Sequence, residues 1–488
     1  MKWFRSATIL VLSCMTIGGC GTHSSSSGGG GGSASAGTPQ REFKPRPNII
    51  LIVADDLGYA DLGCQNLSKD VRTPHIDSLA SNGVRCTSGY VSGTVCSPTR
   101  AGLLTGRYQQ RFGHEFNPGP DTADTYGLPL DQPTLPQQLK SVGYTTAMIG
   151  KWHLGSRPEM HPTQRGFDEF FGFLGGAHGY DIVGKGANVL QRGTRPVEKV
   201  DYLTTAFSRE AAAFIERQAS SNSAAAAAGE ATKPFFLYLT YNAVHTPLQS
   251  PKEYLARFPN EKDDNRRTML AMLAAMDEGV GQVLAKLRER KLDEETLIFF
   301  ISDNGGPTHA NTSRNTPFRG VKNTTWEGGI RVPFIVQWRG SLPAGKVYAQ
   351  PVIALDIAPT IFSVAGVSTL PKGRYDGVEL LPYLSGANTN PPHDALYWRS
   401  GEQWALRGGD YKLTRADVAA PPKLFNLTKD PGESNDLAAK HPDVAQQLKS
   451  KYDRWNSALA SPLWRDIPEE RSGQRLARIA ATTAPARD

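Results

Sequence analysis

Six short segments of this 488-residue chain carry side chains that could do chemistry together. Asp55-Asp56 and Asp303-Asn304 offer only hard oxygen donors, and all but Asn304 are anionic. Such a set suits Ca²⁺ or Mg²⁺ and fits zinc poorly, because zinc takes His or Cys. An adjacent Asp pair also needs a cation or a basic partner, since like charges that close repel. Basic partners are present in Arg100, Lys151, His153, His245 and Lys322. Cations gathered around acidic ligands point to an anionic substrate group, phosphate or sulfate, held from several sides. Cys96-Ser97-Pro98-Thr99-Arg100 adds a reactive side chain. Ser and Pro mark a helix start, which places Cys96 at a helix N-terminus, where the dipole favours anions. The plainer alternative is a small buried Cys ahead of a helix.

Each of these groups follows an element able to hold it. Pro47 leads into an unbroken apolar run from Asn48 to Ala54, which ends at Asp55-Asp56. Tyr144 to Ile149 runs into Lys151 and His153, Phe235 to Leu239 into Asn242 and His245, and Leu297 to Ile301 into Asp303-Asn304. Continuous apolarity predicts strands buried on both faces, as in a parallel sheet. Helical stretches lie between them. The clearest is predicted from Arg266 to Lys291, where Met269, Leu273, Met276, Val280, Val283 and Leu287 share one apolar face. Its methionines read as core.

Strands alternating with helices predict a doubly wound α/β sheet, whose sites form beyond the carboxyl ends of the strands. Residues 220–229, with five consecutive alanines, read as a surface insertion. Past about residue 370 the pattern changes to short strands at 395–399, 404–407 and 411–414, which predict a small antiparallel sheet. A helix from Asp443 to Ala458 follows, then a polar tail, 469–488, expected to be loosely ordered.

Composition excludes several classes. Lys and Arg number 54 against 47 Asp and Glu, a net +7, and 39% of residues are hydrophobic. That content excludes wholesale disorder, and the modest charge gives at most a weak preference for polyanions. No basic helix, zinc spacing or stacking repeat supports nucleic-acid binding. Only residues 7–17 form an apolar run near the terminus, which excludes a polytopic membrane protein. Residues 1–20 read as an export signal, and Ile17-Gly18-Gly19-Cys20 resembles a bacterial lipobox whose Cys20 is lipidated. An ordinary signal peptide is the alternative.

The Gly/Ser-rich stretch 21–42 reads as a flexible tether. The expected location is outside the cytoplasm, in the periplasm, on the outer membrane or at the cell surface, with a lipid anchor as the only membrane contact. Beyond Cys14 and Cys20 lie Cys64, Cys86 and Cys96, an odd number for an exported domain. Cys64 and Cys86 could pair; Cys96 then stands apart.

The ordered motifs resemble one family, the type I sulfatases of the alkaline phosphatase superfamily. Cys96-x-Pro98-x-Arg100, continuing Ala101-Gly102-Leu103-Leu104-Thr105-Gly106, is similar to the family's modification motif. Gly150-Lys151-Trp152-His153-Leu154-Gly155 is similar to its second signature, and Asp303-Asn304-Gly305 and 322–329 are similar to later blocks. Leu424-Phe425-Asn426-Leu427 and Asp430-Pro431-Gly432-Glu433 match in the smaller domain, so the resemblance runs from about Pro47 to about Glu433.

The resemblance implies a large mixed, mostly parallel sheet flanked by helices over 43–370. A smaller α+β domain on an antiparallel sheet is implied over 371–488. It implies sulfate ester hydrolysis on a sulfated carbohydrate, and a maturation enzyme that converts Cys96 to 3-oxoalanine (formylglycine), whose hydrate is the nucleophile. Ca²⁺, rather than Mg²⁺, would be held by Asp55, Asp56, Asp303, Asn304 and residue 96. Arg100 and His153 would orient the hydrate, and Lys151 and Lys322 would neutralise sulfate oxygens. His245 would protonate the leaving alcohol, with His153 the base for release of sulfate.

Candidate pocket residues are His178, Tyr180, Asp181, His309 and Arg314, while Trp326 reads as core. The same centre could serve a phosphonate monoester or phosphodiester hydrolase. A surface glycan-binding lipoprotein with a dead site is the remaining reading, and the intact motif set argues against it.

Overall fold

The computed structural model describes residues 46–119, 125–367 and 375–464. The expected signal, lipobox Cys20, tether and polar tail lie outside the described residues. The four apolar runs form adjacent parallel strands. Asn48–Ala54 is paired on one side with Thr296–Ser302 and on the other with Phe235–Thr240, which pairs in turn with Thr145–Lys151. Glu169–Phe173 adds a fifth parallel strand.

The sheet has ten strands in all, and it is mixed because Phe334–Gln337 runs antiparallel to Thr296–Ser302. Every residue of Asn48–Ala54 is buried. Ile50 and Ile52 pack on one face and Ile49, Leu51 and Val53 on the other, so two apolar layers cover one sheet. The motifs gave no sign of Val84–Cys86, Phe334–Gln337 or Lys346–Tyr348, which are only three or four residues long.

The helix expected over 266–291 spans Asp264–Glu289. The Asp263 side chain caps it, accepting from the amides of Asn265 and Arg266, and all six face residues named above are buried. Residues 220–229 lie at the surface, as expected, and most of them are helical. Residues 220–227 form the end of the helix Leu203–Ala227, and Asn222 ties that end to Lys233 through two hydrogen bonds of 2.9 Å. Alanine is the best helix former, so the polyalanine run extends the helix instead of leaving it.

The smaller sheet has four antiparallel strands, Leu396–Ser400, Gln403–Gly408, Tyr411–Arg415 and Lys423–Asn426. The helix Pro442–Asn456 lays Leu448 and Tyr452 against Trp404, Leu406, Leu413 and Leu424 of that sheet. Cys64, Cys86 and Cys96 are all free, so the Cys64–Cys86 pairing is not made. Among the described residues no helix is long and apolar enough to cross a membrane.

Candidate active site

Parallel register brings the strand ends to one level. Val53 lies beside Thr240 and Ala54 beside Ser302, so Asp55 and Asp303 emerge side by side, with the Asp303 amide donating to Ala54 O at 3.0 Å. Asp56 turns into the left-handed region at φ 63°, which swings its carboxylate back toward the others. Its amide donates to Asp303 Oδ1 at 3.2 Å, and its carbonyl accepts from Asn311 Nδ2 and Ser313 Oγ. The helix Cys96–Thr105 starts where the motif places it, and Cys96 Sγ donates to Asp55 Oδ1 at 3.4 Å. One ligand atom each from Asp55, Asp56, Asp303 and Cys96 lies within 4.8 Å of the others.

Cations surround this cluster. Lys151 Nζ donates to Asp55 Oδ2 at 2.6 Å, and Lys322 Nζ lies 3.1 Å from Asp56 Oδ1. Arg100 is fully buried; its Nη2 and Nε donate to Asp303 Oδ2 at 2.7 and 3.1 Å, and its Nη1 donates to Lys151 O. His245 Nε2 lies 3.6 Å from Asp56 Oδ2, and its Nδ1 is engaged with Thr246 O at 2.6 Å.

Burial alone would raise the Asp55 carboxyl, but Lys151, His245 and Arg100 outweigh it and hold it below the usual range. Asp56 is likewise lowered against the effect of burial, chiefly by Lys322. Burial would lower the Lys151 ammonium, yet Asp55 holds it above its ordinary value. His153 is pushed well below the usual imidazole value by burial, then by Lys151, Arg100 and Lys322, so it is neutral. Burial and Asp303 push the Cys96 thiol well up.

The donor set fits a hard dication. Three carboxylates converge with a buried amide oxygen, Asn304 Oδ1, that accepts no hydrogen bond, while Asn304 Nδ2 donates to Asp56 Oδ1 at 2.6 Å. Cys96 belongs to the same group and also forms a set with Asp55 and His245, so the preference for a hard ion rests on the three carboxylates and the Asn304 amide oxygen.

The structure brings Asp55, Asp56, Cys96, Arg100, Lys151, His153, His245, Asp303, Asn304 and Lys322 together. The five proposed pocket residues divide. Tyr180 is fully buried, and its hydroxyl donates to Asn242 O and His245 O at 2.6 and 2.8 Å, which ties it to the His245 turn. His178 is buried beside Phe173, with Nδ1 on Gly179 O. Arg314 turns to Asp70 at 3.0 Å. Asp181 and His309 are exposed. Trp326 packs edge-on against Phe425, as expected of a core residue.

Ser97, His114, Asn311 and Ser313 were not foreseen. Ser97 Oγ donates to His153 O at 2.6 Å and meets His114 Nε2 at 2.7 Å, so it fixes the backbone of the histidine. Only its place inside the Cys-x-Pro-x-Arg motif singled it out; the others are common loop residues.

A sulfatase family model matches residues 47–367, which include all ten clustered residues. The chain belongs to the sulfatase family. A second model, for the C-terminal region of N-sulphoglucosamine sulphohydrolase, matches 321–457. Arylsulfatase J of Mus musculus is 32% identical over 91% of this chain and 80% of its own length. N-acetylgalactosamine-6-sulfatase of Sus scrofa is 33% identical over 75% of this sulfatase and 71% of its own length. The solved structure of Ps i-CgsB in complex with k-i-k-neocarrahexaose superposes with a TM-score of 0.80 at 35% identity, covering 89% of this chain and 98% of that one. The large mixed sheet with its smaller antiparallel sheet is thus the alkaline-phosphatase-like sulfatase fold.

Proposed function

We propose that this sulfatase removes sulfate from sulfated carbohydrates, with residue 96 working as 3-oxoalanine. The observation that carries the reading is Cys96 Sγ packed among Asp55, Asp56 and Asp303 inside a ring of basic side chains. The sulfur stands where an oxygen of the hydrated aldehyde would sit. Likeness to a carrageenan-oligosaccharide complex and to an N-acetylgalactosamine-6-sulfatase supports a sugar substrate.

Asp55, Asp56, Asp303 and Asn304 would hold Ca²⁺ together with residue 96. Bound there, the ion supplies positive charge that lowers the pKa of the attacking oxygen. The aldehyde hydrate supplies a nucleophilic hydroxyl and a second hydroxyl whose proton can be removed to expel sulfate. Lys151 and Lys322 bind sulfate oxygens, which gain charge as the ester bond breaks. Arg100 holds Asp303 and the Lys151 carbonyl in place. His245, doubly protonated with its Nδ1–H held by Thr246 O, would give its Nε2 proton to the leaving alcohol oxygen, and neutral His153 takes the proton of the second hydroxyl. Export with a lipid anchor on Cys20 is part of the same proposal, supported by the N-terminal sequence pattern; metabolic labelling with palmitate tests it.

The deciding experiment measures sulfate release from a panel of defined sulfated oligosaccharides, with a phosphonate monoester included. Mass spectrometry of the peptide carrying residue 96 is run on the same sample. Sulfate release with an aldehyde at 96 is expected. Turnover by an unmodified thiol, or faster turnover of the phosphonate, would sink the reading.

A further inference from the structure

Lys322 reaches Asp56 from a loop, 319–326, that contains no strand of the large sheet. On one side the loop is tied to the reactive residue's own segment. Asn323, at φ 68°, donates its amide to Thr94 O at 2.8 Å, two residues before Cys96. On the other side its anchors belong to the smaller sheet. Gln403 Nε2 donates to Asn323 O at 3.0 Å, and Gln403 Oε1 accepts from the Thr325 amide at 3.2 Å. Thr325 Oγ1 also meets Thr414 Oγ1 at 3.2 Å.

The loop ends on a buried ion cluster. The Glu327 amide donates to Glu433 Oε2 at 2.7 Å, and Lys412 Nζ lies 2.9 Å from Glu327 Oε1 and 2.9 Å from Glu433 Oε1. Arg319 Nη1 donates to Glu433 O at 3.2 Å. Glu327, Lys412 and Glu433 are all 0% exposed, so the connection is internal and is not a surface contact. Residues 319, 323, 325 and 327 are therefore each bonded to the smaller sheet or to the turn that follows it.

A lysine has a flexible four-carbon stem and three rotatable donors, so its ammonium stays in one place only if its backbone does. Displacing a catalytic group by about 1 Å can cost about 100-fold in rate. We propose that Gln403 and Glu433 are positioning residues for Lys322: the smaller sheet takes part in turnover by fixing the height of that ammonium over the acidic cluster. The inference rests on Lys322 binding the sulfate group.

A mutant cycle on the matured, metal-loaded enzyme tests it, with kcat, KM and inhibition by inorganic sulfate as readouts. Lys322→Ala is expected to lower kcat/KM about 100-fold. Gln403→Ala and Glu433→Ala are each expected to lower it about 10-fold and to weaken sulfate inhibition. Glu433→Gln, which keeps an acceptor for the Glu327 amide, recovers most of the rate.

The decisive outcome is non-additivity. Adding Gln403→Ala or Glu433→Ala to Lys322→Ala costs little more than Lys322→Ala alone, because both act through the lysine. Losses that multiply, or single variants indistinguishable from the parent, overturn the inference and leave the sulfate-binding reading of Lys322 standing. An inert Lys322→Ala overturns that reading and the inference with it. Should Glu433→Ala fail to fold, Gln403, which is only partly buried, still decides the matter.

Discussion

Two buried ionic clusters flank the Lys322 loop, and they treat like charges in opposite ways. At the strand ends, Asp55, Asp56 and Asp303 face one another, with Arg100, Lys151 and Lys322 behind them. At the junction with the smaller sheet, Lys412 stands between Glu327 and Glu433. There Glu327 also accepts from Tyr90 at 2.6 Å and lies 3.3 Å from Arg331 Nη1, so each carboxylate meets donors before it meets another carboxylate. Interleaved charges hold parts together; crowded like charges mark a place built to take something from outside. Burial is equal in the two places and does not distinguish them.

The sharpest way to break the comparison is to remove one group from each cluster. Cys96→Ala should abolish sulfate release by about 10⁴-fold or more, as loss of a nucleophile does, with little change in the thermal midpoint measured by calorimetry. Lys412→Met should do the reverse. It leaves two buried carboxylates without their shared cation and costs about 3–5 kcal/mol of stability by denaturant unfolding. If it unfolded like the parent protein, the junction would not be structural.

A smaller effect separates roles inside the first cluster. His245→Ala should slow an alkyl or sugar sulfate by about 100-fold, while an aryl sulfate with a good leaving group loses much less. Equal losses on both substrates would remove His245 from proton donation.

The smallest effect is in pH. Burial, with Glu327 nearby, pushes the Glu433 carboxyl up to about 7 from an ordinary 4.5. Folding therefore binds this proton more tightly, so its contribution is full below about 4.5 and is lost as pH rises toward 7. Glu327 is also raised by burial, but Lys412 and Arg331 bring it down to about 2, so its contribution is present above 4.5 and fades as pH falls toward 2. Thermal midpoints of Glu433→Gln should vary less between pH 5 and 8 than those of the parent; an unchanged slope would refute the assignment.

Much of this was legible in the residues. Unbroken apolar runs such as Asn48–Ala54 announced buried strands, and the polar residues just after them lie together because parallel register aligns their ends. The Met269 face was equally plain, since a period of three to four leaves one reading. The polyalanine run was legible as surface but not as helix, because its apolar side chains show no one-sided period; the structure makes it the end of a 25-residue helix. Ser97, Gln403 and Glu433 could not be read as partners. Their long-range hydrogen bonds join residues from 17 to 114 positions apart, and no periodicity records such a pairing. Tyr180 looked like a binding residue for the same reason: an aromatic beside glycines gives no hint that its hydroxyl faces inward.

Cys96 is 1% exposed, and the helix it begins is buried throughout. This bears on the order of events during biogenesis. An enzyme that alters this side chain needs the surrounding segment in its own cleft, and the finished domain offers no such access. On the proposed 3-oxoalanine reading, the alteration would therefore come while the chain is still being threaded or folded. On the same reading, a molecule that folds over an unaltered thiol would keep that thiol out of such an enzyme's reach.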